Sequence, residues 1–224
     1  MYSSAATISF APPMTPRLDS DVVDVPILRQ IPFPRRYRKD EEIFAEGDPA
    51  SHYYRVISGF VRTSKLLCDG RRQIDSFYVA GEIFGIELRA EHRVTAEAIG
   101  DTMVVRLPRC SLTDPVDTDR ALAREVVTTT LVNLERAQQH VILLGRRSAA
   151  EKVAAFLLDM AARVQGSKID LPMSRGDIAD YLGLTIETVS RTLTRFERQG
   201  TIEFSFARRT LRLRNMPVLR HLDS

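Results

Sequence analysis

A chain of 224 residues and 25.3 kDa holds one large domain or two small ones, at about 100–200 residues per domain. With 44% hydrophobic and 27% charged residues it can bury a core of its own. Its two cysteines, Cys68 and Cys110, exclude a disulfide framework and a four-cysteine zinc or iron–sulfur centre. The net charge of +3 is compatible with a nucleic-acid partner without requiring one.

Residues 1–28 read as a flexible arm, interrupted by Pro12, Pro13, Pro16 and Pro26 and with little to bury. The arm has no basic segment followed by an apolar one, so no secretory leader is expected. No run reaches the roughly 20 apolar residues of a membrane span, which leaves the cytoplasm as the expected compartment.

Residues 29–115 read as strands. Tyr53–Ile57, Phe60–Leu67 and Thr102–Leu107 are β-branched or aromatic, and glycines at 47, 59, 70, 81, 85 and 100 punctuate them. Many short strands with turn signals between them predict a β-sandwich or barrel, and Asp69-Gly70 marks a hairpin turn.

The character changes after Pro115. From Asp117 to about Arg146 there is no proline, and no glycine before Gly145. Val127, Leu131, Leu134 and Val141 recur at heptad-like spacing, which predicts a helix of about 28 residues, roughly 42 Å long. A core helix would carry the same stripe. A dimer seam is preferred because the segment that follows works as a pair.

Residues 147–224 carry 13 basic and 9 acidic residues, against 19 and 20 in residues 1–146, so the basic excess lies in the last third. A helix over 147–166 turns Val153, Phe156, Leu157 and Met160 to one side, with Gly166 at its end. Ser174 reads as the cap of a next helix, with Asp177 three residues on and a stop at Gly183. Thr185 caps another, running from Ile186 to Gln199, and Gly200 ends it. Over 201–214, Ile202, Phe204 and Phe206 alternate, Arg208-Arg209 turn the chain, and Leu211 and Leu213 alternate again.

Helix, glycine-containing turn, helix and basic hairpin make a winged helix-turn-helix. Ala179 is small enough to let two helices cross closely, and Gly183 allows a left-handed turn. Leu184, Val189 and Leu193 hold the second helix on the first. Ile186, Glu187, Ser190, Arg191 and Arg195 are left facing outward. Glu187 and Arg191, four apart, could form a surface pair or read bases in the major groove, and the two readings are compatible. Seven arginines against three acids over 186–214 fit a phosphate footprint, although a solvated helix face could look the same.

The run Ile178-Ala-Asp-Tyr-Leu-Gly-Leu-Thr-Ile-Glu-Thr-Val-Ser-Arg191 strongly resembles the helix-turn-helix of the CRP/FNR superfamily, in its FNR-like form. Gly81-Glu-Ile-Phe-Gly-Ile-Glu87 and Ala96-Glu-Ala-Ile99 are similar to the β-roll of its FixK regulators. The resemblance covers about residues 30–214.

It implies an α+β fold: an N-terminal β-roll, jelly-roll-like, over 29–115, a dimerisation helix over 116–146, and a winged helix-turn-helix over 147–224. It also implies a homodimeric activator that reads a TTGA/TCAA inverted repeat in double-stranded DNA and touches RNA polymerase. Ile186, Glu187, Ser190 and Arg191 would read bases, with Arg191 on the guanine of each half-site. Ser174, Thr185, Thr188, Arg195, Arg208 and Arg209 would hold phosphates. Val127, Leu131, Leu134 and Val141 would form the dimer interface, and Asp69, Arg71 and Arg72 the polymerase contact, with the 87–93 loop as a second such surface.

The departures matter as much. Residues 1–67 contain no cysteine, so the iron–sulfur centre of FNR itself is excluded. Cyclic-nucleotide-binding relatives carry an Arg-Ser pair in the β-roll, where this chain has His92-Arg93. The four histidines, His52, His92, His140 and His221, are scattered, so no haem, metal or other cofactor is expected. Cys68, beside the hairpin turn, is a candidate redox group with an inert thiol as the alternative; Cys110 is expected to be buried. Competing readings are a ligand- or cyclic-nucleotide-responsive regulator, a scaffold dimer, and a cupin-like metal enzyme. The last needs two or three converging histidines and a carboxylate, which the sequence lacks. No enzymatic activity is expected.

Overall fold

The computed structural model describes residues 33–109, 120–146, 148–164, 168–205 and 210–223. The N-terminal arm, Cys110, and the wing residues Phe206, Arg208 and Arg209 lie outside these.

Eight strands form two antiparallel sheets. They are β1 (Arg35–Tyr37), β2 (Glu42–Phe44), β3 (His52–Ser58), β4 (Phe60–Leu66), β5 (Arg72–Val79), β6 (Ile83–Phe84), β7 (Thr95–Ala98) and β8 (Thr102–Pro108). One sheet has the order β1-β8-β3-β6 and the other β2-β7-β4-β5. Side chains alternate across a strand, so each sheet turns one apolar row inward. Tyr37, Phe44, Tyr54, Val56, Val61, Phe84, Ala96, Ala98 and Val104 form the buried cluster they share.

β4 and β5 pair from Phe60↔Val79 to Leu66↔Arg72 as a long hairpin whose tip is the expected Asp69-Gly70 turn. Gly59 joins β3 to β4 at φ +86°. A Cβ there would come within 2.6 Å of the Asp101 carbonyl oxygen, so only glycine fits between the two strands and the 101–102 backbone.

The long helix α1 (Arg120–Arg146) falls inside the span expected for it. α2 (Ala149–Arg163) begins at Ser148, whose hydroxyl accepts from the Glu151 amide while the Glu151 carboxylate accepts from the Ser148 amide. This reciprocal cap satisfies two of the four amides a helix start leaves open. α2 ends at Arg163, short of Gly166, which lies outside the described residues. β9 (Lys168–Asp170), α3 (Arg175–Leu182), α4 (Ile186–Arg198), β10 (Ile202–Phe204), β11 (Thr210–Leu213) and α5 (Met216–Asp223) complete the chain.

Two of these elements were not read from the sequence. β9 pairs with β11 to make the wing a three-stranded sheet, β10-β11-β9. α5 packs on α2 and buries Leu219 completely. The core of this half combines Val153, Phe156, Leu157, Ile178, Leu182, Val189, Leu193 and Phe196 with Ile74, Phe77 and Ile99 from the strand-rich half. The helix-turn-helix is therefore packed directly on the β4–β5 sheet.

Candidate nucleic-acid interface

The helix-turn-helix is built by local signals. At the start of α3 the Ser174 hydroxyl accepts from the Asp177 amide at 3.0 Å, and the Ser174 amide donates to Asp177 Oδ2 at 2.9 Å. α3 ends at Gly183, which takes the left-handed conformation at φ +60° and ψ 43°. Two residues later the Thr185 hydroxyl accepts from the Thr188 amide at 3.2 Å and starts α4. The turn is thus a glycine stop followed at once by a threonine start.

α4 divides cleanly. Val189, Leu193 and Phe196 are buried against α2 and α3. Such side chains contribute about 1.5–3 kcal/mol each on full burial. On the other side Ile186, Glu187, Arg191 and Arg195 are exposed and Ser190 is half-buried. The outward face is therefore that of the residues expected to read DNA. Among the described residues no ion pair joins Glu187 to Arg191, so of the two readings open for them the surface pair is not made. Both side chains are left to outside partners.

The expected phosphate-holding residues are placed less uniformly. Thr185 and Thr188 share a hydrogen bond between their hydroxyls at 3.0 Å. Ser174 is exposed, but its hydroxyl proton is committed to Asp177 Oδ2 at 2.8 Å, so a phosphate would have to compete for it. Arg195 is exposed on α4. Arg208 and Arg209 lie outside the described residues.

Sequence reading passed over Arg175, the first residue of α3. Its guanidinium lies 4.7 Å from the ring centre of Phe204 in the wing, above a cavity of about 380 Å³ that Met173, Ser174, Ser190 and Thr194 also line. A basic residue directly after the cap was the available signal. Arg212, exposed on β11, was passed over as well.

The stripe on α1 is exposed in the single chain. Val127, Leu131, Leu134 and Val141 are 59%, 60%, 53% and 68% accessible, and Ile142 next to them 59%. Among the described side chains of this helix, Leu143 alone joins the core. A helix that leaves its apolar stripe outside does not use it for the chain's own core.

A second cavity, about 560 Å³, lies in the strand-rich half, lined by Phe44, Thr63, Tyr78, His92, Arg93 and Asn133 of α1 among others. Arg93 is held by Glu87, with Nε 3.2 Å from Oε2 and its amide donating to Oε1. The buried His92 ring stacks on Phe44 at 3.7 Å, and neither ring nitrogen has a hydrogen-bond partner. Burial lowers the His92 pKa and favours the neutral ring.

At the β4–β5 tip, Asp69 accepts from the amide and the guanidinium of Arg71 at 3.0 and 2.7 Å. These bonds hold its carboxyl below the usual range. Cys68 is exposed beside them. Arg72 is placed differently from expectation: its guanidinium bonds Asp177 at 2.6 Å and Asp180 at 2.9 Å on α3, so it is not a free cation of the hairpin tip.

Residues 151–222 match the Crp-like helix-turn-helix domain, and residues 34–119 the cyclic nucleotide-binding domain. The nitrogen fixation regulation protein FixK of Azorhizobium caulinodans is 45% identical over 197 residues, covering 85% of this chain and 79% of that protein. The chain belongs to the CRP/FNR family of transcriptional regulators. FixK of Rhizobium meliloti is 42% identical, over 83% of this chain and 85% of its own length. The solved structure of FixK2 from Bradyrhizobium japonicum superposes with a TM-score of 0.80 at 48% identity, covering 86% of this chain and 97% of that one. This family member is thus a DNA-binding transcriptional regulator of the FixK kind, with the fold expected from its sequence.

The Arg-Ser pair expected of a cyclic-nucleotide site is not reproduced at His92-Arg93. A cyclic phosphate needs a free cation and a small hydroxyl donor. Here the arginine at the hydroxyl position is paired with Glu87, and the residue before it is an imidazole whose pKa burial lowers, inside an aromatic stack, although Lys65 and Arg89 also line the cavity. Among the described residues, histidines, cysteines and carboxylates nowhere group in threes as metal ligands would.

Proposed function

We propose that this regulator is a cytoplasmic homodimeric activator and not an enzyme. It binds an inverted repeat of TTGA/TCAA type through α4 and recruits RNA polymerase through the β-roll. The observation that carries this is the divided surface of α4. Its apolar face is fixed in the core, while Glu187 and Arg191 stand exposed without an ion pair between them.

In the major groove, the Arg191 fork matches guanine O6 and N7, and a Glu187 carboxylate accepts from a cytosine amino group. Ile186 and Ser190 complete the readout. Thr185, Thr188, Arg195 and the wing arginines Arg208 and Arg209 hold the backbone, and Ser174 adds a contact if phosphate displaces its capping bond. Two recognition helices about one duplex turn apart require a dimer, and the exposed stripe on α1 supplies its seam. The working units are those read at the outset: arm 1–28, β-roll 29–115, dimer helix 116–146 and DNA-binding domain 147–224.

For the polymerase contact we place Asp69 and Arg71 outermost, because Arg72 is engaged by α3. Cys68, exposed at the same tip, would be the redox-sensitive group if the regulator has one.

Titration of the wild type and Arg191→Ala against the palindrome and its single-base variants tests the reading. The variant is expected to lose about 1–3 kcal/mol per half-site and to relax discrimination at one guanine only. Full retention of that preference would remove α4 from the major groove.

A further inference from the structure

The Asp177 carboxylate, buried at the start of α3, has two separate tasks, one for each oxygen. Oδ2 takes the Ser174 amide and hydroxyl, which closes the helix cap. Oδ1 takes two guanidiniums from the β-roll: Arg62 Nη1 of β4 at 3.2 Å and Arg72 Nη2 of β5 at 2.6 Å. Burial pushes this carboxyl up, but the Ser174 bonds and the two arginines outweigh it and hold it below the usual range.

Arg62 is almost fully buried and spends the rest of its fork inside the β-roll. Nε goes to Glu97 of β7 at 3.0 Å and Nη2 to Asp40 at 3.1 Å. Arg72 Nε adds Asp180 at 2.9 Å, and the Gln73 side-chain amide donates to the Asp180 carbonyl at 2.7 Å. The aromatic contacts across the same junction, such as Phe77 on Tyr181 at 5.2 Å, are adhesive but weakly directional. Guanidinium forks on carboxylates fix an angle as well as a distance.

We infer that Arg62, Arg72 and Asp177 are positioning residues for operator recognition, because they set the orientation of the helix-turn-helix on the β-roll and so the distance between the two recognition helices of a dimer. The inference rests on the dimeric reading above. It adds that the discrimination of half-site spacing resides at a junction that touches no DNA. One added base pair moves a half-site about 3.4 Å and rotates it by about a tenth of a turn. A rigidly held pair of helices rejects such a shift, and a loosely held pair follows it.

The test compares binding to the TTGA/TCAA palindrome with binding to two versions whose spacer is one base pair longer or shorter. Two full-length variants are used. Asp177→Asn keeps an acceptor for the cap and loses the charge between the arginines. Arg72→Gln with Gln73→Ala leaves Arg62 on Asp177, so the buried carboxylate keeps a cationic partner, and circular dichroism checks the fold of both variants.

Wild type is expected to prefer one spacing by about tenfold or more, the scale of a single mismatched base pair. In the variants that preference is expected to fall to a few-fold, while discrimination between correct and mutated half-sites and the dimer mass by light scattering stay unchanged. A wild type indifferent to spacing overturns the dimeric reading and this inference together. A wild type that prefers one spacing, with a folded variant that prefers it as strongly, overturns the inference alone.

Discussion

The ring of His140, on α1, lies 4.1 Å from that of Tyr181, on α3. The long helix α1 and the first helix of the DNA-binding motif therefore meet at a half-buried titratable side chain. Burial lowers the His140 pKa and outweighs Asp75. Lys152 lowers it further, while Asp159 and a Tyr181 backbone bond act the other way. A base with a depressed folded pKa stabilises the fold above its unfolded value, about 6.5, and that stability is lost as pH falls through the folded value. His92 and His52 are depressed in the same direction. Denaturant midpoints are expected to fall between pH 7.5 and pH 5.5, and His140→Phe is expected to reduce the fall. An equal drop in both proteins would remove His140 from the account.

Glu82 accepts from Arg136 of α1 at 2.8 Å and from Arg163 of α2 at 2.6 Å. Arg163 is buried and also donates to the Phe77 carbonyl. Burial raises the Glu82 pKa, but the two arginines and the Val79 amide overcome it and hold it below the carboxylate range. Its contribution to stability is therefore present above the ordinary glutamate value and lost as pH falls through the lower folded one. Glu82→Ala leaves Arg163 buried with a weaker partner set, and about 3–5 kcal/mol of destabilisation is expected in urea melts. A loss under 1 kcal/mol would show that the pair is dispensable.

Leu134→Glu places a carboxylate in the middle of the exposed α1 stripe. The folded chain has no other use for that face, so its helicity by circular dichroism should be retained. Light scattering is expected to report a monomer and operator affinity to collapse. A dimer of normal mass would move the seam elsewhere.

Gly183→Ala probes the turn itself. The residue sits at φ +60°, where a side chain is strained, and the added Cβ would come within 3.4 Å of Leu144. A cost of about 1 kcal/mol or more in thermal unfolding is expected. No change would mean that the turn relaxes freely.

Arg71→Ala, in transcription assays on a palindromic promoter, should lower transcript yield while leaving operator affinity intact. Equal losses in both would make the hairpin tip a part of DNA binding.

The legible parts of this molecule are those fixed by neighbours in sequence. Ser174 with Asp177, Gly183, Thr185 and the inward row of α4 each act within four residues, so their pattern reports their structure. β9 was missed because three residues, Lys168-Ile169-Asp170, give alternation no length to be seen. The role of Arg62 was missed for a different reason. A charged residue in a strand reads as solvent-facing, and its carboxylate partners lie 22, 35 and 115 residues away. Arg72 was assigned to the hairpin surface on the same local logic, and its partners are 105 and 108 residues distant.

Lys152 binds the helices of this junction to one another. Its ammonium, buried on α2, donates to the Leu144 carbonyl near the end of α1 at 3.1 Å and to the Leu182 carbonyl at the end of α3 at 3.3 Å. Each of those carbonyls is a negative helix end, so one cation serves two dipoles. Opening either helix strands the charge on the other. The last turn of α1, α2 and α3 should therefore behave as a single cooperative unit in amide hydrogen exchange, with protection lost together, while the wing strands exchange on their own schedule.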